Sequence, residues 1–442
     1  MILFEINIMD NKNDTIFALS TPPGKSAIAV IRISGPNSIK IIKKISKNMP
    51  TKNRHSIKNN ISINGETIDQ TITTIFKRPN SYTGEDLVEV SFHGGQTIIE
   101  KITKYMFEKN KARLATPGEF TKRAFINNKL DLTQVEAVAD LVNAETEEQR
   151  KQAINQLGGK LNEKTKKWSE KILKILANTE AIIDFTDEDL PNNILKENKE
   201  QTENIIKEIT DFISDNKIGE KIRSGFTVSI VGRPNTGKSS FINVLAKRDL
   251  AIVTEEPGTT RDIIELFCDL DGLPFKFYDT AGITKSDNIV EIKGVKKSRE
   301  IMKKADLNLV FINNISETKE YDEVKKKLFI QSKCDINKKI YSKSKIYHIS
   351  SLKNSGIKRL IQDIKYYFIG NKKLSNASVS RERHRSVLKN TLKNLKKSKE
   401  SKNYDLIAED IRMAHNEISK ITGNKDVEDI LDVIFNDFCI GK

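Results

Sequence analysis

Little in this chain of 442 residues suits a scaffold held together by covalent or metal staples. Its three cysteines, Cys268, Cys334 and Cys439, lie far apart without metal-type pairing. That argues against a disulfide framework or zinc site and favours a reducing cytoplasm. No apolar run approaches the ~20 residues that span a bilayer, so no membrane partner is expected. The opening Met1-Ile2-Leu3-Phe4 lacks a basic flank and is followed by Glu5, which excludes a signal peptide. No internal repeat is visible, and no aromatic–arginine nucleic-acid motif stands out. Charge of one sign is not scarce: 75 Lys and Arg against 60 Asp and Glu give a formal +15. Two readings of that excess stay open, a nucleic-acid partner or a lysine-rich composition spread over solvated faces.

What is present divides along the chain. From residue 14 to about 120, short β-type runs (27–33, 72–76, 87–92) alternate with turn signals, and one helical pattern covers 97–109. This predicts a small α+β domain. Near Asp131 the pattern becomes helical, with Thr133-x-x-Glu136 as a capping box and Val135, Val138, Ala139 and Val142 on one face. It continues to about 222 and returns beyond 378, where Ile407, Ile411, Ala414 and Ile418 form one stripe. Val427, Ile430, Leu431 and Ile434 form another, with Asp426 as its N-cap. Neither half buries its stripes alone, so the two are expected to make one helical domain with 225–370 inserted.

The inserted region carries a nucleotide site. An apolar strand, 227–231, runs into Gly232-x-x-x-x-Gly237-Lys238-Ser239 and then a helical run, the context a phosphate-binding loop requires. Asn235, Thr236, Gly237, Lys238, Ser239 and Ser240 present backbone N–H groups and a helix N-terminus to phosphate. Lys238 reaches the outer phosphates and Ser239 offers Mg²⁺ a hydroxyl. Gly258-Thr259-Thr260-Arg261-Asp262 reads as a switch loop, with Thr260 a second Mg²⁺ hydroxyl. Asp271-Gly272 joins two strands as a hairpin, the second ending in Asp279-Thr280-Ala281-Gly282 near Mg²⁺ and the γ-phosphate. Ser332-Lys333-Cys334-Asp335 sits where GTPases read guanine, Asp335 accepting from N1–H and the amino group. Ser350, Ser351 and Leu352 belong to the last base-contacting loop. The expected reaction is GTP hydrolysis.

Two absences qualify this. Ser332 replaces the usual asparagine, which removes the amide that ties neighbouring loops together. Ile283 stands where Ras-like enzymes orient water with glutamine, so another group must do so.

Further motifs are Asp14-Thr15-Ile16, Thr21-Pro22-Pro23-Gly24, Ile31-Arg32-Ile33-Ser34-Gly35, Ser81-Tyr82-Thr83-Gly84-Glu85-Asp86 and His93-Gly94-Gly95. Pro117-Gly118-Glu119-Phe120, Asn128-Lys129-Leu130-Asp131 and Cys439-Ile440-Gly441-Lys442 complete the set. With the nucleotide motifs, the chain resembles the MnmE (TrmE) family of tRNA wobble-uridine modification GTPases over nearly its whole length. The resemblance places the start at Met9. It implies a multidomain α+β and α/β fold: an N-terminal folate-binding and dimerising domain (1–125), a split all-α helical domain (126–222 and 373–442) and an inserted Ras-like P-loop GTPase domain (223–372). It implies a homodimer and a heterotetramer with the flavoprotein MnmG. Together they add an aminomethyl or carboxymethylaminomethyl group to C5 of the wobble uridine of certain tRNAs. A tetrahydrofolate derivative supplies the one-carbon unit, and FAD and NADH serve the partner.

Carried over by residue, folate contacts are Arg32, Glu89, Lys129 and Lys442. K⁺ replaces an arginine finger, held by Asn235, Thr254, Glu256 and Thr259. The nucleotide loop extends over Thr254, Glu255, Glu256, Pro257, Gly258, Thr259 and Thr260. Glu291 orients the water, which resolves the missing glutamine. Cys439 is either a packed small residue or a reactive thiol of the modification chemistry. The competing function is a ribosome-assembly or signalling GTPase acting as a nucleotide switch; such proteins append an RNA-binding domain, and none is visible after residue 370.

Overall fold

The computed structural model describes residues 14–109, 112–184, 194–215, 217–247, 251–252, 264–279, 299–337, 339–341, 345–370 and 378–423, with Leu431, Ile434, Phe435, Phe438 and Gly441. The chain divides into two compact units, residues 1–139 with 419–442, and residues 140–418.

The first unit is built on a six-stranded sheet in the order β3-β4-β5-β2-β1-β6. Its strands are β1 (Thr15–Leu19), β2 (Ser26–Ser34), β3 (Ser56–Ile63), β4 (Glu66–Phe76), β5 (Leu87–Gly94) and β6 (Ala112–Leu114). Period-2 alternation sends Ile31 and Ile33 to one face, where α1 (Ser38–Ile45) and α2 (Gln96–Lys109) cover them with Ile41, Ile42, Ile102 and Met106. The other face carries Ile16, Ala18 and, from α3 (Glu119–Ile126), Phe120. The β-type runs at 27–33, 72–76 and 87–92 fall within β2, β4 and β5, and the helical pattern at 97–109 covers α2 almost to the residue; β3 carries no such signal because its polar Lys58-Asn59-Asn60 centre masks its alternation.

α4 (Leu132–Val142) corrects the expected capping box. Asp131 is the cap: its Oδ1 accepts from the Thr133 and Gln134 amides at 2.8 and 3.0 Å, while Gln134 Oε1 accepts from the Asp131 amide at 3.0 Å. The reciprocal pair therefore starts two residues upstream of Thr133. Val135 and Ala139 are buried with Ile434, Phe435 and Phe438, whereas Val142 is exposed. Asp426, Val427 and Ile430 lie outside the described residues.

Among the described residues, the second unit contains four long helices and a seven-stranded sheet. α6 (Lys160–Asp184) and α7 (Ile194–Ile213) follow α5 (Glu147–Leu157), and α8 (Ile218–Ser224) leads into the sheet. The sheet order is β13-β12-β11-β7-β10-β9-β8. Its strands are β7 (Phe226–Gly232), β8 (Ala251–Ile252), β9 (Ile264–Leu270), β10 (Leu273–Asp279), β11 (Leu307–Phe311), β12 (Lys327–Gln331) and β13 (Ile346–His348). β10, β7, β11, β12 and β13 run parallel, and their near-continuous apolar sequence reflects burial on both faces: α9 (Lys238–Lys247) and α10 (Ile357–Ile369) cover Val228, Ile230, Leu309 and Ile330 on one, while Met302 and Tyr321 pack against Val231, Val310 and Phe329 on the other. β9 is antiparallel to β10, and the turn between them has Asp271 and Gly272 both at positive φ, 52° and 89°, a type I′ hairpin as expected.

After the sheet come α11 (Glu382–Glu400) and α12 (Tyr404–Ser419). Ion pairs link the long helices in a ring: Lys171–Glu208 from α6 to α7 at 2.8 Å, Lys399–Glu203 from α11 to α7 at 2.8 Å, Lys397–Asp410 from α11 to α12 at 2.7 Å, and Arg412–Glu180 from α12 to α6 at 2.8 Å. Ile411, Ala414 and Ile418 are buried as the stripe predicts. α5 also touches the hairpin, where the Glu148 amide donates to the Gly272 carbonyl at 3.0 Å.

Candidate functional site

In an open parallel sheet, loops leaving the carboxyl ends of neighbouring strands converge. Here the pairing sets Asp279 of β10 opposite Ile230 of β7, and Gly232 of β7 opposite Phe311 of β11. The glycine loop and the end of β10 are thus brought to one edge, and α9 starts at Lys238 with its Phe241, Ile242 and Leu245 buried against the sheet.

Lys238 is the buried cation of this edge. Its Nζ donates to the carbonyls of Gly232 at 2.7 Å and Arg233 at 2.8 Å, and Thr236 Oγ1 donates to the same Arg233 carbonyl at 2.8 Å. Asp279 is buried, and its Oδ1 has no hydrogen-bond partner among the described residues. Burial pushes the Lys238 ammonium below its usual range and the Asp279 carboxyl above its own, each partly offset by the other's charge. An unpartnered buried carboxylate oxygen beside a phosphate-type loop suits a divalent cation. Ser239, one residue after Lys238, is exposed and could offer such a cation its hydroxyl.

The guanine-type loop is tied to the glycine loop twice. Ser332 Oγ donates to the Thr236 carbonyl at 2.5 Å, and Lys333 Nζ donates to the Asn235 carbonyl at 3.0 Å. This corrects the expectation that serine loses the tie: the shorter side chain makes it because the loops approach closely. Gly237, at φ 92°, permits that approach, since a Cβ there would lie 2.2 Å from Ser332 Oγ. Asn235 is exposed at φ 62°, with no partner for its side chain among the described residues.

Asp335 and the last loop also meet. The Ser350 hydroxyl bonds the Asp335 carboxylate and, with backbone N–H, holds that carboxyl below the usual range. The Cys334 amide donates to the Ile349 carbonyl at 3.1 Å, and Ser350 and Ser355 exchange backbone bonds that close the loop. Ser351 Oγ is buried without a partner, and Leu352 is exposed. Ser240 is exposed on α9. Thr254, Glu255, Glu256, Pro257, Gly258, Thr259, Thr260, Thr280, Ala281, Gly282 and Glu291 lie outside the described residues, as do Cys439 and Lys442.

A second polar site forms in the first unit. Alternation puts Arg32 on the face opposite Ile31 and Ile33, and the antiparallel register sets Glu89 directly across from it. Arg32 Nε donates to Glu89 Oε1 at 2.9 Å, and Nη1 donates to the Gly441 carbonyl at 3.2 Å. The guanidinium carbon lies 5.5 Å from the Tyr82 ring centroid and 5.6 Å from that of Phe120, two residues the sequence motifs contained without a role. Lys129 is exposed beside the Gly84 turn, and no contact joins it to Arg32.

Around α3, Arg113 pairs with Asp14 and Glu119, both at 2.6 Å, and Arg123 pairs with Asp14 at 2.5 Å, Glu119 at 3.0 Å and Glu85 at 3.1 Å. Several motif acids are therefore held in a structural ion-pair network.

Two family profiles match this chain: the MnmE helical domain over residues 132–439 and the GTP-binding protein TrmE N-terminus over residues 15–129. The tRNA modification GTPase MnmE of Pelagibacter ubique is 42% identical, covering 97% of this chain and 100% of the relative. That of Rickettsia bellii (strain OSU 85-389) is 40% identical with the same coverage, and that of Desulforamulus reducens 38% identical, again over 97% of this chain and 100% of its own.

Proposed function

The chain belongs to the MnmE (TrmE) family of tRNA modification GTPases, and on that premise we propose that its GTP hydrolysis is K⁺-assisted and coupled to folate-dependent modification of the wobble uridine. Membership makes it a GTP hydrolase acting in tRNA modification rather than a ribosome-assembly or signalling switch.

The observation that carries the catalytic reading is Lys238, buried at the head of α9 beside Asp279, whose Oδ1 has no partner among the described residues. The Lys238 ammonium exchanges its loop carbonyls for the outer phosphate oxygens, and the backbone N–H groups of the glycine loop bind the rest. Asp279 and the Ser239 hydroxyl, with Thr260, would hold Mg²⁺. Mg²⁺ supplies positive charge to the phosphates when bound. Asp335 selects guanine by accepting from N1–H and the amino group, and Ser350 fixes its carboxylate.

Asn235 supports K⁺ coordination, because its left-handed backbone leaves its side chain exposed at the phosphate loop. Thr254, Glu256 and Thr259 complete the proposed ligand set. A monovalent cation there provides charge where phosphoryl transfer accumulates it. Glu291 orients the attacking water. At the first unit, the donors of Arg32 and the acceptor oxygens of Glu89 suit the amide edge of a pterin, with Lys129 and Lys442 toward the glutamyl carboxylates of a tetrahydrofolate derivative. A homodimer through this unit, MnmG with its FAD and NADH, and placement in the cytoplasm complete the reading.

GTP turnover is expected to be about 10²-fold faster in K⁺ than in Na⁺ at equal ionic strength, the size of one lost charge-stabilising contact. Equal steady-state rates in the two salts would remove the cation from the mechanism.

A further inference from the structure

Exposed helical faces of the second unit mostly mix charges. On α6, Lys160 faces Glu163 at 3.9 Å and Lys171 pairs with Glu208 at 2.8 Å; on α7, Glu197, Glu200 and Glu203 alternate with Lys196 and Lys199. α11 (Glu382–Glu400) differs. Residues 383–399 contain seven Lys and Arg and no Asp or Glu. A lysine-rich composition adds lysine everywhere, but it does not strip the acids from one helix while α6 and α7 keep theirs.

The flanks of α11 are occupied. Arg385 is buried against Asp215 and Glu220, Lys397 pairs with Asp410, Lys399 pairs with Glu203, and Asn390 faces Glu417 at 3.5 Å. Between those flanks Ser386, Lys389, Lys393 and Lys396 form an exposed ridge, spaced so that they share one helical face. None of the three lysines has an ion-pair partner among the described residues. Of the bounding acids, Glu382 is taken by Lys217 at 2.9 Å, and Glu400 lies one turn past Lys396. The ridge offers no apolar centre of the kind a protein interface needs.

We propose that this ridge is a phosphate-tracking surface for the tRNA on which the protein acts, an inference that rests on the tRNA-modification reading above. Lys389 to Lys396 spans about 10 Å of helix axis. One strand of a duplex carries about three phosphates over that length. Ammonium groups bind phosphates as point charges, so the ridge orients RNA without reading its bases.

The test compares the full chain with Lys389→Gln/Lys393→Gln/Lys396→Gln and with a control triple on mixed-charge faces, Lys166→Gln/Lys174→Gln/Lys207→Gln. Fluorescence anisotropy measures binding of unfractionated tRNA across a salt series. The ridge triple is expected to bind about tenfold or more weakly near physiological salt, with a slope of log K against log salt shallower by about two to three. The control triple is expected to stay within about threefold of wild type, and GTP turnover to be unchanged in both. Wild-type tRNA affinity in the ridge triple overturns the ridge and leaves the tRNA reading standing. Equal losses in both triples overturn it in favour of diffuse charge. Ridge-dependent binding of anionic phospholipid vesicles with no effect on tRNA overturns it in favour of a membrane surface. A wild-type chain that hydrolyses GTP but binds no tRNA overturns the ridge and the tRNA reading together.

Discussion

Ser332 shows how one short side chain substitutes for a longer one. The sequence marks the departure from asparagine but not its outcome, because whether a hydroxyl can reach a neighbouring loop depends on a separation set by Gly237. With the loops in contact, the hydroxyl bonds the Thr236 carbonyl and the guanine loop stays tied to the phosphate loop. Ser332→Ala leaves that buried carbonyl without its donor, which costs about 1–2 kcal/mol. GTP affinity measured by calorimetry should fall by up to roughly tenfold, and urea stability should drop by the same order of about 1–2 kcal/mol; unchanged affinity would assign the tie to Lys333 alone. Asp335, by contrast, was legible as a guanine acceptor from its motif. Its Ser350 partner was also named, though only as a base contact, since side-chain bonding between loops that distant in sequence leaves no local pattern.

Elements were legible where periodicity is strong and obscure where tertiary contacts decide. α2, β7, α9 and the β9–β10 hairpin follow from spacing and turn chemistry. The start of α4 did not, because two overlapping capping patterns exist at 131–136 and the Asp131–Gln134 pair is the one that closes at the helix start. α11 illustrates a contact no periodicity announces: Arg385, 3% exposed, bonds Asp215, Glu220 and the Ile213 carbonyl, fastening α11 to α8. Those carboxylates hold the guanidinium firmly charged. Arg385→Met removes one side of a buried ion pair and should destabilise the second unit by about 3 kcal/mol. Urea unfolding checks this, and a midpoint matching wild type would show the contact to be dispensable.

At the scale of the molecule, the ion-pair network of the first unit was not legible, since Asp14, Glu85, Arg113, Glu119 and Arg123 are scattered in sequence. Its most perturbed acid is Glu119. Burial raises that carboxyl, but the Arg113 hydrogen bond, the Thr116 amide and the nearby guanidinium charges outweigh it and bring it from 4.5 down to about 2. A lowered carboxyl stabilises the fold above its unfolded value, and that contribution is lost as pH falls from about 4.5 towards 2. It amounts to something on the order of 3 kcal/mol. Acid titration of urea stability should therefore show a steep loss in that window, flattened in Glu119→Gln; identical pH profiles would mean the carboxyl titrates normally. The first unit is also discontinuous in sequence: Phe435 and Phe438 pack on Leu132 and Val135, and the Gly441 carbonyl sits on Arg32. On the ribosome, residues 140–418 are made between the two parts. At typical elongation rates the nascent sheet waits on the order of tens of seconds with that apolar seam uncovered. A translating cell must shield the seam for that interval, so nascent-chain chaperones should hold this polypeptide longest while its second unit is being synthesised.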